Sequence, residues 1–137
     1  MKELVLFYSY TGNTKKLAQE CASTKSADIA EIRDIKRPGK VKAFVLGCFA
    51  AMRGKPWAIQ PLEADLAAYD HIELFSPVWA GNPPPEVHAA VGQLPEGKTV
   101  SVTMVSASGK SGCKETIEAT IKSKGCTMEA FEDVKSR

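Results

Sequence analysis

ELVLFYSYTGNTKKLA, Glu3 to Ala18, decides the fold: an apolar run, a loop with one glycine among four hydroxyl side chains, then apolar residues at helical spacing. Leu4 to Tyr8 is continuously apolar, as expected of a strand covered on both faces by helices. From Thr14 to Ala22, Leu17, Ala18, Cys21 and Ala22 fall on one side, and Lys15, Lys16, Gln19 and Glu20 fall elsewhere, which predicts an amphipathic helix. A loop between such a strand and helix presents unpaired backbone N–H groups and the positive end of the helix dipole, so it attracts an anion. Gly12 keeps the approach open. The hydroxyls of Ser9, Thr11 and Thr14 can donate to phosphate oxygens, and no acidic side chain stands in SYTGNT to repel them. The loop therefore suits a phosphate monoester, although Thr14 as a helix N-cap and the other hydroxyls as turn formers would also account for these residues.

Other phosphate-handling devices fail on spacing. A dinucleotide fingerprint needs G-x-G-x-x-G, and this loop has one glycine. A Walker loop needs a glycine five positions before the GKS at Gly109, where Met104 stands. Neither a nucleophilic cysteine nor a phosphorylatable aspartate follows the first strand.

Beyond the loop the chain keeps alternating. Asp28 to Ile35 reads as a second strand, KRPGK interrupts, and Val41 to Met52 reads as an apolar helix stopped near Gly54. From Lys55 to Asp70, two prolines and the turn ADLAAY suggest connecting structure with little regularity. Ile72 to Phe75 is a third strand running into SPVWAGNPPP, and Pro85 to Leu94 is a helix with its prolines in the tolerated first turn. Thr99 to Val105 is a fourth strand leading to SASGKSG. Cys113 to Lys124 is a helix ended by Gly125, and Thr127 to Val134 is a fifth strand. Strands alternating with helices call for right-handed crossovers and a doubly wound parallel sheet in one α/β domain over residues 1–137. Ligands of such sheets bind outside the carboxyl ends of the strands, where three loops, SYTGNT, SPVWAGN and SASGKSG, all emerge.

Composition narrows the partners. With 44% hydrophobic and 25% charged residues the chain is an ordinary globule, and its 137 residues can bury a core. The net charge of +2 is spread without a basic block, which argues against nucleic acid. The N-terminal apolar run is too short for a membrane span or signal peptide, so a cytoplasmic protein is expected. Cys21, Cys48, Cys113 and Cys126 form no C-x-x-C pair, which fits reduced, mostly buried thiols and no metal. His71 and His88, on a strand and a helix, are expected to be structural.

The second loop suggests an aromatic guest. Trp79, bracketed by Pro77 and Gly81, would be costly to expose unless something flat stacks on it; the alternative is an indole folded back onto the core. With S-x-T-G-N-T after the first strand, S-P-V-W-A-G-N after the third and a small, glycine-containing loop after the fourth, the chain resembles the flavodoxin family over nearly its whole length. The resemblance implies the strand order 2-1-3-4-5 and FMN as cofactor. By the same resemblance Ser9, Tyr10, Thr11, Gly12, Asn13 and Thr14 form the phosphate loop. Pro77, Val78, Trp79, Ala80, Gly81 and Asn82 would run along the flavin ring, and Ser106, Ala107, Ser108 and Gly109 would border its pyrimidine side. No catalytic residue of the protein's own is implied, since the chemistry belongs to the flavin.

Two departures from that family shape the functional expectations. Carrier flavodoxins are usually acidic, whereas this chain is slightly basic, and its third loop has no aromatic residue to cover the second flavin face. An open face would admit a nicotinamide or quinone, with Lys110 near an anionic substrate. The fifth strand also runs straight into DVKSR without the family's closing helix. Glu73, Ser101 and Thr103, alternating with apolar neighbours, would then lie on a sheet face that is wet or covered by a partner chain or second copy. Three functions follow: an electron-transfer flavoprotein working with a redox partner protein or small-molecule acceptor, an NAD(P)H-dependent quinone or flavin reductase, and a non-redox module binding a phosphorylated ligand or a protein.

Overall fold

A computed structural model describes residues 2–9, 12–33, 62, 64–79 and 81–135. Strands β1 (Glu3–Phe7), β2 (Asp28–Glu31), β3 (His71–Pro77), β4 (Thr99–Ser106) and β5 (Thr127–Lys135) alternate with helices α1 (Asn13–Lys25), α2 (Pro85–Val91) and α3 (Lys114–Ser123). The strands form one parallel sheet in the order β2-β1-β3-β4-β5, as expected. The helix expected over Val41 to Met52 lies outside the described residues.

The alternation of side chains along each strand builds two layers. On one face Leu4, Leu6, Ile72, Leu74, Val100, Val102 and Met104 meet Val87, Ala90 and Val91 of α2 and Ile117 and Ile121 of α3. On the other Val5, Phe7 and Phe75 meet Ala18 and Ala22 of α1. The first cluster is the larger, and at roughly 2 kcal/mol for each fully buried aliphatic side chain it supplies most of the hydrophobic stabilisation among the described residues.

Element ends differ from the sequence reading. β2 stops at Glu31, although Ile32 N–H still donates to Phe7 C=O at 2.7 Å. β3 gains a residue at its start and two at its end, because Ser76 and Pro77 stay in register with Met104 and Val105. α2 ends at Val91, where Gly92, Gln93 and Leu94 turn back through backbone bonds to His88, Ala90 and Val91. The ADLAAY stretch does turn, as the 3-10 helix Leu66–Ala68 capped by Asp65 Oδ1 at 3.1 Å. Among the described residues no helix is long and apolar enough to cross a membrane.

The polar positions on the α1 face do not all behave as expected. Glu73 is not left to solvent or to a partner: it is 8% exposed, lies beneath α1, and is held by Lys25 Nζ at 2.7 Å and His71 Nε2 at 3.0 Å. Burial of a carboxylate is tolerable here because its oxygen is paired. Ser101 and Thr103 are half-buried, and their β5 neighbours Ala130 and Glu132 are exposed. The difference follows from the position of α1, which packs on β1, β2 and β3.

Candidate functional site

β2 and β3 flank β1 on opposite sides, so the winding reverses between β1 and β3 and opens a crevice at their carboxyl ends. There Tyr8 N–H donates to Phe75 C=O at 3.2 Å, holding the two strand exits together. The first and second loops leave from these exits.

In the first loop Gly12 occupies the N-cap of α1 with φ +100°, a conformation open to glycine and strained for other residues. Its amide donates to Ser9 Oγ at 2.9 Å. The helical ladder begins with Lys16 N–H to Gly12 C=O at 3.1 Å, so the amides of Asn13, Thr14 and Lys15 lie ahead of it, facing the crevice end. A side chain added at Gly12 would meet nothing within 4 Å, and the first turn carries no acidic residue. Thr14 stands inside the first turn, past the N-cap; it is buried, as is Ser9 at the start of the loop. Open space, unladdered amides and the absence of negative charge fit an anionic group such as a phosphate. Tyr10 and Thr11 lie outside the described residues.

The second loop is a tight turn. Trp79 N–H donates to Asn82 C=O at 2.8 Å, Asn82 N–H donates to Trp79 C=O at 3.0 Å, and Gly81 takes φ +78°. Pro77 ends β3, Val78 and Asn82 are half-buried, Gly81 is exposed, and Ala80 lies outside the described residues. Trp79 is half-buried, packs on the larger core cluster and stands edge-on to Tyr8, with ring centroids 6.1 Å apart and planes at 77°. That geometry is a favourable aromatic contact. It joins the second loop to the root of the first.

The third loop repeats the device of the first. Gly109 N–H donates to Ser106 Oγ at 2.9 Å, and Ser108 Oγ donates to Lys110 C=O at 3.2 Å. A side chain added at Gly109 would meet Lys135 Cβ, at the end of β5, at 3.4 Å, and one added at Gly81 would meet Ser111 C=O at 3.5 Å. The second and third loops therefore lie side by side, and Ala107, Ser108 and Lys110 are exposed at the rim. Behind this loop Cys113 is buried, and burial pushes its thiol pKa up. Among the described residues no group of three or more His, Cys, Asp or Glu side chains is placed to hold a metal ion.

Those residues expected at the site that the structure describes thus come together at one end of the sheet. Sequence reasoning missed Ser111 and the pair Tyr8–Glu86, in which Tyr8 OH donates to Glu86 Oε2 at 3.0 Å under the cleft. The partners are 78 positions apart, so no local pattern signals the contact.

No protein-family model and no curated protein matches the chain. Solved structures do. A flavoprotein from Lactobacillus acidophilus NCFM in complex with FMN is 24% identical, with a TM-score of 0.78 over 95% of this chain and 91% of that one. The apo form of the Lactobacillus acidophilus flavoprotein is 23% identical, with a TM-score of 0.69 over 96% and 92%. Flavodoxin 2 from Bacillus cereus is 17% identical, with a TM-score of 0.60 over 99% and 85%. At these identities the likeness is one of architecture, and together with the strand order it establishes that this chain has the flavodoxin-like fold.

Proposed function

We propose that the chain binds FMN in the crevice between the carboxyl ends of β1 and β3 and serves in electron transfer. The observation that carries this reading is the juxtaposition of an anion-ready helix start at Gly12 to Lys15 with a half-buried tryptophan in the adjoining loop. The fold's likeness to a flavoprotein crystallised with FMN supports it. In this reading the amides of Asn13, Thr14 and Lys15 and the hydroxyls of Ser9, Thr11 and Thr14 hold the phosphate. The turn from Trp79 to Asn82 lines the ring, and Ser106 to Gly109 border its polar edge. Bound there, FMN would supply one- and two-electron transfer, and the protein would set its potential by contacts and charge. The donor and acceptor are then a reductase and a redox partner protein or small molecule.

Titration of FMN with the purified protein tests the reading: flavin fluorescence is expected to be quenched as the cofactor binds, and unquenched fluorescence at excess protein rejects it. Trp79→Ala is expected to weaken binding by roughly 1 to 3 kcal/mol, the scale of stacking on an aromatic side chain. A second reading, an NAD(P)H-dependent quinone or flavin reductase, draws on the small exposed side chains Ala107 and Ser108 and on Lys110 at the rim. Rapid bleaching of the flavin on mixing with NADH or NADPH, with no reductase added, would favour it over the carrier.

A further inference from the structure

Tyr8 and Glu86 are each only 1% exposed, and both are anchored at the cleft. Tyr8 is the residue from which the first loop departs. Glu86 stands in the first turn of α2, just after the second loop and its three prolines. The bond from Tyr8 OH to Glu86 Oε2 at 3.0 Å therefore staples together the roots of the two loops that flank the crevice.

We infer that Glu86 is a positioning residue: its carboxyl group fixes the ring of Tyr8 and, through that ring, the indole of Trp79 at the cleft. The inference rests on the FMN reading for its consequence, though not for its geometry. A phenolic O–H lies in the plane of its ring, because the oxygen lone pair is conjugated with it. An acceptor held in one place therefore selects the ring's rotation about its long axis as well as its position. Trp79 meets that ring at 77° and 6.1 Å, an edge-to-face contact whose energy depends on the relative tilt of the rings. Rotation of the Tyr8 ring would move the indole with it. Burying a carboxyl group is costly, and an aliphatic side chain of similar volume would fill the space without that cost. What Glu86 adds over such a residue is direction.

The test uses a Trp57→Phe parent, in which Trp79 is the sole tryptophan. The near-ultraviolet circular dichroism and fluorescence anisotropy decay of Trp79 are recorded without FMN, and the FMN dissociation constant is measured separately. Glu86→Ala and Tyr8→Phe should each diminish the Trp79 dichroic band and widen its angular excursion. Each should weaken FMN binding about tenfold, the equivalent of one lost hydrogen bond. Glu86→Gln keeps an acceptor and should restore both readouts to within about threefold, the usual scatter of a benign substitution. Tyr8→Phe retains the packed ring and keeps the test decisive should Glu86→Ala fail to fold. An unchanged Trp79 signal in Tyr8→Phe, or damage from Glu86→Gln equal to that from Glu86→Ala, overturns the inference. Should the parent itself fail to bind FMN, the cofactor reading falls, and the Trp79 signal without FMN still decides the role of Glu86.

Discussion

Lys25, the last residue of α1, places its Nζ 2.7 Å from Glu73 Oε1 near the start of the central strand β3. The contact extends into a polar chain, for His71 Nε2 meets the same oxygen at 3.0 Å while its Nδ1 lies 2.6 Å from Thr99 Oγ1 and 3.5 Å from Glu129 Oε2. Four elements are tied at the end of the sheet opposite the cleft. Breaking a deeply buried pair from one side costs several kcal/mol, but the Lys25 side chain is 40% exposed and solvent screens it. Lys25→Met is therefore expected to cost about 1 kcal/mol in urea unfolding, and adding Glu73→Leu should recover much of that loss by removing a buried carboxylate that has lost its lysine partner.

The same pair has a pH signature. The hydrogen bond to Glu73 is the main cause raising the Lys25 pKa above its ordinary 10.5, so folding favours the charged amine. Its contribution is fully present below the ordinary lysine value and disappears as pH rises through the raised one. The stability gap between wild type and Lys25→Met should hold steady at pH 8 and close on the alkaline side of the lysine range. A gap independent of pH would exclude the ion pair as its source.

His88 shows the opposite sign. Its Nε2 is buried without a hydrogen-bond partner among the described residues, and desolvation lowers its pKa from 6.5. The unfolded chain then takes up a proton before the folded one does, so stability is intact above the ordinary histidine value and falls as pH drops through and below it. Urea midpoints at pH 7.5 and pH 5 should separate less in His88→Leu than in wild type. Equal separations would place the acid sensitivity elsewhere.

Gly12 separates backbone strain from steric clash, since its φ is +100° and nothing lies within 4 Å of the point where a β-carbon would stand. Gly12→Ala should destabilise the protein by about 1 kcal/mol through strain alone. It should also weaken FMN binding, because the methyl group would occupy the open side of the loop. Retained affinity alongside the stability loss would show that the phosphate approaches from another direction.

The thiols offer a check on burial. Cys113 is 1% exposed with its pKa raised by desolvation, and Cys126 donates to Pro95 C=O at 3.0 Å. In a Cys48→Ser variant a thiol reagent at pH 7.5 should modify Cys21 slowly and reach Cys113 and Cys126 only after unfolding. Rapid modification of all three in native conditions would contradict the packing of α3 on the sheet.

Much of the fold was legible because it is periodic or punctuated. Leu4 to Tyr8 and Val100 to Met104 announce strands by their apolar runs and alternation, and SYTGNT and SPVWAGN announce the sheet end where a ligand would bind. The end of β3 was less legible, since Ser76 and Pro77 follow the register of β4, which no short window contains, whereas α2 ends on local bonds from Gly92, Gln93 and Leu94 back to His88, Ala90 and Val91.

Local sequence determined the strands, the helices and the loops at the carboxyl end of the sheet, because strand, helix and turn preferences act over a few neighbouring residues; the strand order came from the family resemblance. Tertiary structure alone decided that Glu73 is enclosed by Lys25 and that Tyr8 meets Glu86. It also placed Glu129, at the β5 irregularity opposite Val100 and Ser101, within reach of His71. Those contacts join residues far apart in the chain, and they form only when packing has removed water from between the elements that carry them.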